Sequence, residues 1–414
     1  MANNNENKIL NVPNLRFPEF SGEWKKMKVS ELLDFYSTNS LSWEQLDYNN
    51  GKIKNLHYGL IHKGVPTMVD VACDYLPYIK EESMPKSFTL FKEGDVAFAD
   101  ASEDTNDVAK AIEVVNCDNQ QIVSGLHTIH GRDNSNQTII GYKGYAFASD
   151  SFHKQIRRIA QGTKVFSIST RNFDEVYIGI PSKEEQTKIA KLLIAIDKRI
   201  ATQTKIIEDL KKLKSAIIDY AIDSLDTDFA KFSSLYETAG EGGTPTTSNA
   251  SFYDNGKIPF VKIDDLKQKY LTENKDFITE LGLQKSSAWL VPTRSILFSN
   301  GATIGEITIT TYPVCTKQGI LGIVPKSNID VEFLYYFMSS TYFKKAVSRI
   351  VTEGTMKTAY LKDINNILCP IPIKEKQQGI AKIPSTLNSK IDFEQSILRL
   401  FWAQKRHLLS QMFI

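Results

Sequence analysis

Between Pro181 and Ile222 the apolar residues Ile189, Leu193, Ile196, Ile200, Ile207, Leu210, Ile217 and Ala221 follow an alternating three–four rhythm, with the polar Gln203 among its steps. That rhythm lays a single seam along one side of a helix. No Gly or Pro interrupts the run from Ser182 to Ile222, and good helix formers dominate it. About 40 helical residues span roughly 60 Å at ~1.5 Å each, far beyond an ordinary globular helix. A helix of that length needs a partner to bury its seam.

The partner lies in the same chain. Setting Ile180–Ile200 against Ile371–Ile391, an offset of 191, gives nine identities in 21 positions, among them Ile180/Ile371, Pro181/Pro372, Lys183/Lys374, Glu184/Glu375 and Gln186/Gln377. Fixed-offset similarity of this kind marks an internal duplication. The pairing residues expected on the second helix are Ile380, Leu387, Ile391, Glu394, Leu398, Phe401 and Leu408. Gln203 and Glu394 are equivalent at the same offset and near the helix midpoints, so an antiparallel pair should bring them together. A polar residue in such a seam sets register at some cost in stability. Pro384 occupies the place of Leu193 and removes one helical hydrogen bond, which predicts a short helix, a kink near Pro384-Ser385 and then a long run to Met412.

Alternating apolar runs and turn residues predict an α+β domain before each helix. The boundaries read as a loose polar lead-in (1–23), a first domain (24–180), a first helix (181–225), a second domain (226–372) and a second helix (373–414). In the first domain, strands are expected at Lys52–Leu56, Val96–Ala99, Ala111–Val115 and Thr138–Gly141, with helix over Tyr145–Ile159. The second domain repeats landmarks: Asn50-Gly51-Lys52-Ile53 returns as Asn255-Gly256-Lys257-Ile258, and Gly94–Phe98 as Arg294–Phe298. Tyr145–Ile156 is echoed by Tyr335–Ala346, and Arg158-Ile159 with Gly162-Thr163 by Arg349-Ile350 with Gly354-Thr355. Paired antiparallel, the helices would leave two divergent heads at opposite ends of a rod with an internal pseudo-twofold axis.

Charge changes the picture little. The sum is +2. Residues 24–180 carry 17 Lys+Arg against 20 Asp+Glu, and residues 226–372 carry 15 against 15. Any nucleic-acid binding must therefore use local clusters or charge supplied by partners. Cys73, Cys117, Cys315 and Cys369 are far apart and read as free thiols. His57/His62 and His127/His130 have metal-like spacing but lack a third ligand, so no metal is expected. The lead-in lacks a signal-like apolar core and no apolar run reaches ~18 residues, which reads as a cytoplasmic protein.

Catalytic motifs are hard to find. Neither the methyltransferase N/D-P-P-Y/F motif nor a G-x-x-x-x-G-K-[ST] loop occurs. Gly240-Glu241-Gly242 has no helix behind it, and Asp264/Asp265 with Glu273-Asn274-Lys275 only mimics a nuclease triplet. Recognition candidates are polar and basic residues on the turn-rich segments: Lys52, Lys54, His57, His62, Lys63, His130 and Arg132 in the first domain. In the second they are Thr244, Thr246, Lys257, Lys262, Asn300, Thr303, Lys317 and Gln318. Arg and Lys pair with guanine edges, and Asn and Gln with adenine.

The opening LRFPEFSGEW, the segment GDVAFADASEDTND, the helix start IPSKEEQTKIAKLLIAIDKRI and its repeat IPIKEKQQGIAKI resemble the specificity subunit of type I restriction–modification enzymes. GGTPTT, NGKIPFVKIDDL and SNGATIG extend the likeness over essentially the whole chain. The resemblance implies two target-recognition domains, each reading half of a bipartite, asymmetric site in double-stranded DNA. It implies helices that set the spacer and dock two modification (methyltransferase) subunits, with restriction (motor and nuclease) subunits completing the complex. This chain would then be non-catalytic and hold no cofactor. S-adenosylmethionine would belong to the modification subunits, and ATP and Mg to the restriction subunits. A stand-alone nuclease or methyltransferase is the alternative, disfavoured by the missing motifs. A non-DNA scaffold is a third reading.

Overall fold

The structure, a computed structural model, describes residues 11–301, 303–351 and 357–414. The expected landmark Gly354-Thr355, Ala302 of SNGATIG and the first ten residues of the lead-in lie outside the described residues. Contacts divide the chain into two compact units, Met1–Thr202 with Leu398–Ile414, and Gln203–Ile397. Each contains one globular domain and part of both long helices.

In the first unit the elements are β1 (Asp34–Tyr36), β2 (Leu46–Asp47), β3 (Ile53–Leu56), β4 (Met68–Asp70), β5 (Tyr78–Ile79), β6 (Val96–Ala99), β7 (Ala111–Asn116), β8 (Gln121–Ser124) and β9 (Thr128–Arg132). Helices α1 (Lys143–Phe147) and α2 (Asp150–Ile159) follow, then the long helix α3 (Lys183–Asp223). One sheet has the order β1-β9-β6-β7-β4, the other β8-β3-β5-β2. The second unit holds β10 (Tyr236–Glu241), β11 (Ile258–Val261), β12 (Tyr270–Leu271), β13 (Asp276–Ile278), β14 (Ile296–Ser299), β15 (Ile307–Thr310), β16 (Cys315–Thr316) and β17 (Ile320–Pro325). After them come α4 (Val331–Ser339), α5 (Thr341–Ile350) and the long helix α6 (Lys374–Gln411). Its sheets run β10-β17-β14-β15-β12 and β13-β11-β16.

The two domains share one topology beneath unlike sequences. In both five-stranded sheets every neighbour is antiparallel except one parallel pair at the edge, β4 with β7 and β12 with β15. In both smaller sheets the central strand, β3 or β11, lies parallel to β8 or β16 and antiparallel to β5 or β13. Each five-stranded sheet packs its apolar face on the helices that follow. Phe98, Phe147 and Phe152 join Ile189, Leu193 and Ile196 in one core, and Phe298, Phe337 and Phe343 join Ile218 and Ile222 in the other.

Several expectations are corrected here. Thr138–Gly141 is a turn, not a strand, because Gly141 is left-handed (φ +89°) and its amide donates to Glu113. The helical run Tyr145–Ile159 breaks at Ser149, whose hydroxyl accepts from the Phe152 amide and caps α2. Ser340 caps α5 through Phe343 in the same way, so the true counterpart of Tyr145 is Tyr336 at offset 191, one residue beyond the expected Tyr335. The lead-in is also not loose from Asn11 onward. Arg16 makes a bidentate pair with buried Glu185 at 2.7 and 2.8 Å, and the Leu15 amide donates to the Gln411 carbonyl.

The duplicated helix start acts as a clasp. The buried Gln186 side chain accepts from the Ile139 amide and donates to the carbonyls of Gln137 and Pro181. Gln377 accepts from Asp330 and donates to Asn328 and Pro372, and all three partners stand at the same offset of 191. The motif thus pairs loop backbone groups through buried or half-buried hydrogen bonds at the helix start.

The helices pair antiparallel within the second unit: Gln203 donates to Glu394, while Lys214, further along α3, meets Asn388, earlier in α6, at 2.9 Å. In the first unit the counterparts of those last two form an ion pair, Asp197 with Lys405 at 2.6 Å. Ile189, Leu193, Ile196, Ile200, Ile207, Ile391 and Leu408 are buried, and Leu210, Ile217, Ile380, Leu387, Leu398 and Phe401 are half-buried. Ile218 is buried in place of the predicted Ile217. Helix α6 runs unbroken through Pro384, which is buried in the seam, so the expected division into a short and a long helix does not occur. A single missing amide in a helix held by packing on both sides does not end it.

Candidate nucleic-acid interface

Four loops converge at one end of each domain, where β8 and β16 lead into β9 and β17. In the first domain the Gly125 amide donates to Leu56, Tyr58 to Leu126, Asn39 to Ser124 and Asp100 to His127. In the second, Lys317 donates to Val261, Asn300 to Gly319, and the Gln318 amide to the Thr244 hydroxyl. Strand registers fix the equivalence. Ser124 pairs beside Leu56 as Thr316 does beside Val261, and Thr128 beside Ala99 as Ile320 does beside Ser299. Gly125-Leu126-His127 therefore matches Lys317-Gln318-Gly319. Both third residues are left-handed, at φ +55° and +92°.

This cluster brings together Thr244, Lys262, Lys317 and Gln318 in the second domain, all but half-buried Thr244 exposed. Thr246 and Thr303 are exposed on the adjoining loops, whereas Lys257 sits at the opposite end of β11 from Lys262. Lys262 is tied to Asp276 at 2.8 Å. In the first domain the cluster gathers buried His57 and half-buried His62, while exposed Lys63 ends the short helix that follows His57. His62 meets the Ala101 carbonyl at 3.1 Å. Lys52 stands elsewhere, at the rim of a groove of about 770 Å³, paired with exposed Glu81.

Lys54, His57, His130 and Asn300 are 5, 1, 0 and 1% exposed, and their expected place on a reading surface is corrected accordingly. Lys54 lies against the Tyr78 ring, and burial lowers its pKa. His57 is packed on Trp43 and accepts from the Gly59 amide; burial, helped by nearby His127, pushes its pKa down to about 4. Asn300 is wedged against Ala359. His130 and Arg132 lie two apart on β9 and so share a face. Both grip Asp95, at 2.8 Å from His130 and at 2.8 and 2.6 Å from Arg132. Burial by itself would raise the Asp95 pKa, but these bonds and the Lys92 amide hold it below its ordinary value. Lys54, His57, His130 and Arg132 hold the first head together, and Asn300 the second.

His127 was missing from the candidates. Its side chain is 52% exposed, and its Nδ1 lies 3.2 Å from Asp100 Oδ1. Only its left-handed backbone marks it out, and a sequence does not display φ. Asp264 and Asp265 serve local structure, as a partner for Lys267 and as a cap on the Lys262 amide. Among the described residues no group of three or more His, Cys, Asp or Glu could hold a metal, and no helix is long and apolar enough to cross a membrane.

Two copies of one head, carrying different exposed side chains at equivalent places and clasped alike to a pair of helices, define a two-headed recognition protein. Comparison with known proteins narrows the class. Residues 21–212 and 227–399 each match the family described as Type I restriction modification DNA specificity domain, and the chain belongs to that family. It is 31% identical over 173 residues to the type I restriction enzyme MjaIX specificity subunit of Methanocaldococcus jannaschii, a match covering 40% of this chain and 39% of that protein. The EcoR124I/EcoR124II specificity subunit of Escherichia coli is 24% identical over 226 residues, 51% of this chain and 55% of that one. Those two matches thus span less than two thirds of the relatives' length. The putative MjaX specificity subunit of M. jannaschii is 23% identical over 404 residues, covering 91 and 89%. Among solved structures, a type I restriction–modification S subunit from M. genitalium matches with TM-score 0.54 at 16% identity, covering 97 and 99%. A chain from a study of assembly and conformational transition of the type I R-M system matches with TM-score 0.60 at 14% identity, covering 93 and 96%. These likenesses establish the fold.

Proposed function

We propose that this chain is the DNA-reading subunit of a type I restriction–modification complex. Each globular domain reads one half of a bipartite, asymmetric site in double-stranded DNA, and the paired helices set the spacer. The observation that supports this most is the repeated head: one topology twice, with unlike exposed residues at matching loop positions. A chain with two such heads suits a site with two unlike halves.

The helices also offer a surface to protein partners. Ile206, Leu213 and Tyr220 recur every seven residues along α3 and are 40, 48 and 76% exposed. Spacing of seven keeps them on one face, suited to a modification subunit. Two such subunits would bring S-adenosylmethionine, and restriction subunits would bring ATP and Mg. Neither domain has excess positive charge, so the partners would supply many of the phosphate contacts. The test is sequencing of modified bases in a host that expresses this chain with its modification subunit. A split, asymmetric motif of fixed spacer is expected. An unmodified genome in the presence of the assembled complex would refute the reading.

A further inference from the structure

The chain contains its own comparison. If the two domains read different half-sites with one fold, the readers should be exposed, equivalent in position and unlike in chemistry. The segments Gly125–His127 and Lys317–Gly319 are equivalent in position and unlike in chemistry, and each carries exposed polar side chains: His127 in one, Lys317 and Gln318 in the other. In the first domain Gly125 cannot carry a side chain, since a Cβ there would fall 2.3 Å from Asn55 Oδ1 and 2.8 Å from the Leu56 carbonyl. The polar side chain of this segment is therefore His127. In the second domain the third position is Gly319, and the exposed polar side chains are Lys317 and Gln318.

His127 also sits where the backbone does not favour it. At φ +55° glycine is the natural occupant, as in the second domain, and a side chain costs about 1–2 kcal/mol. Such strain concentrates at functional positions. Nδ1 is engaged by Asp100 and the ring edge meets Tyr58 at a centroid distance of 5.4 Å, which fixes the ring and leaves Nε2 as the atom available to a ligand. Neutral, Nε2 accepts a hydrogen bond; protonated, it donates one, as to a guanine edge.

We propose that this three-residue segment is the base-reading loop of each domain, with His127 the reader in the first and Lys317 with Gln318 the readers in the second. The proposal rests on the function proposed above and adds which side chains carry specificity. His127→Gly installs the second domain's residue at a left-handed position, so the fold should survive. Lys317→Gly with Gln318→Leu installs the first domain's pair. Each variant, assembled with its modification subunit, is read by sequencing of modified bases alongside the parent. His127→Gly should relax or change one half of the motif only, and the double variant the other half only, with discrimination at the affected base pair falling about tenfold or more. An unchanged motif in both, with assembly intact, overturns the proposal, as does uniformly weaker modification at an unchanged motif, which marks phosphate contacts. Should His127→Gly not fold, His127→Asn, which also accepts the left-handed backbone, makes the same test. If the parent itself yields no bipartite motif, the functional reading fails first.

Discussion

Single residues carry more of this fold than their sequence context discloses. Gln186 and Gln377 each satisfy three backbone groups, so Gln186→Ala strands one buried and two half-buried groups, and we expect a loss of about 2–3 kcal/mol. Gln377→Ala should cost about the same, and chemical denaturation measures both; a near-neutral result for either would show that the clasp is dispensable. A second expectation comes from histidines held neutral. His57 and His153 have their pKa pushed down to about 4, in both cases first by burial and then by a nearby basic side chain, His127 or Arg157. Unfolded, they titrate near 6.5, so between about 6.5 and 4 the unfolded chain binds more protons than the folded one. Stability should be fully present above about pH 6.5 and fall as pH drops toward 4. A melting temperature that stays level across that window contradicts this. The sequence named polar residues well but could not sort them: His130 and Lys63 look alike as letters, yet one is buried against Asp95 and the other is exposed. Partners distant in the chain make that difference.

At the scale of elements the helices were legible because a three–four rhythm survives any detail of packing, and strands β6 and β7 because they are short, mostly apolar runs. Pro384 misled because an intrinsic helix breaker is overridden when the segments on both sides are packed. Lys214 and Lys405 lie in the seam at equivalent places. Lys405 has Asp197 as counter-ion, whereas Lys214 donates to the side-chain oxygen of Asn388 with Asp392 farther off, and burial lowers its pKa. Asp197→Asn should therefore destabilise by about 1–2 kcal/mol, since it leaves a nearly buried ammonium without its countercharge. Adding Lys405→Leu to that variant should recover most of the loss, because the charge is removed with its partner. A double variant less stable than the single would contradict this. Ile196→Asp sets an upper mark: a carboxylate among buried apolar side chains should cost several kcal/mol, and an unchanged melting temperature would count against the seam.

For the whole molecule, the internal duplication, visible as I-P-x-K-E-x-Q twice, was the informative signal, and it carried the two-domain reading. The shared topology of the heads was hidden, because five-stranded sheets in the same order tolerate unlike side chains wherever alternation is kept. Electrostatics bears on assembly: with 17 basic against 20 acidic residues in one head and 15 against 15 in the other, the lone chain should bind DNA weakly. Titration against salt should give a steeper slope for the complex with its modification subunits, by about 0.9 per added phosphate contact; equal slopes would mean the partners add none. The most direct test of the central claim exchanges one head. Replacing residues 24–180 with the corresponding domain of a relative, and sequencing modified bases in a host carrying the hybrid with its modification subunit, should change one half of the recognised site and leave the other half and the spacer untouched. A change in both halves, or in neither, would contradict the two-headed account.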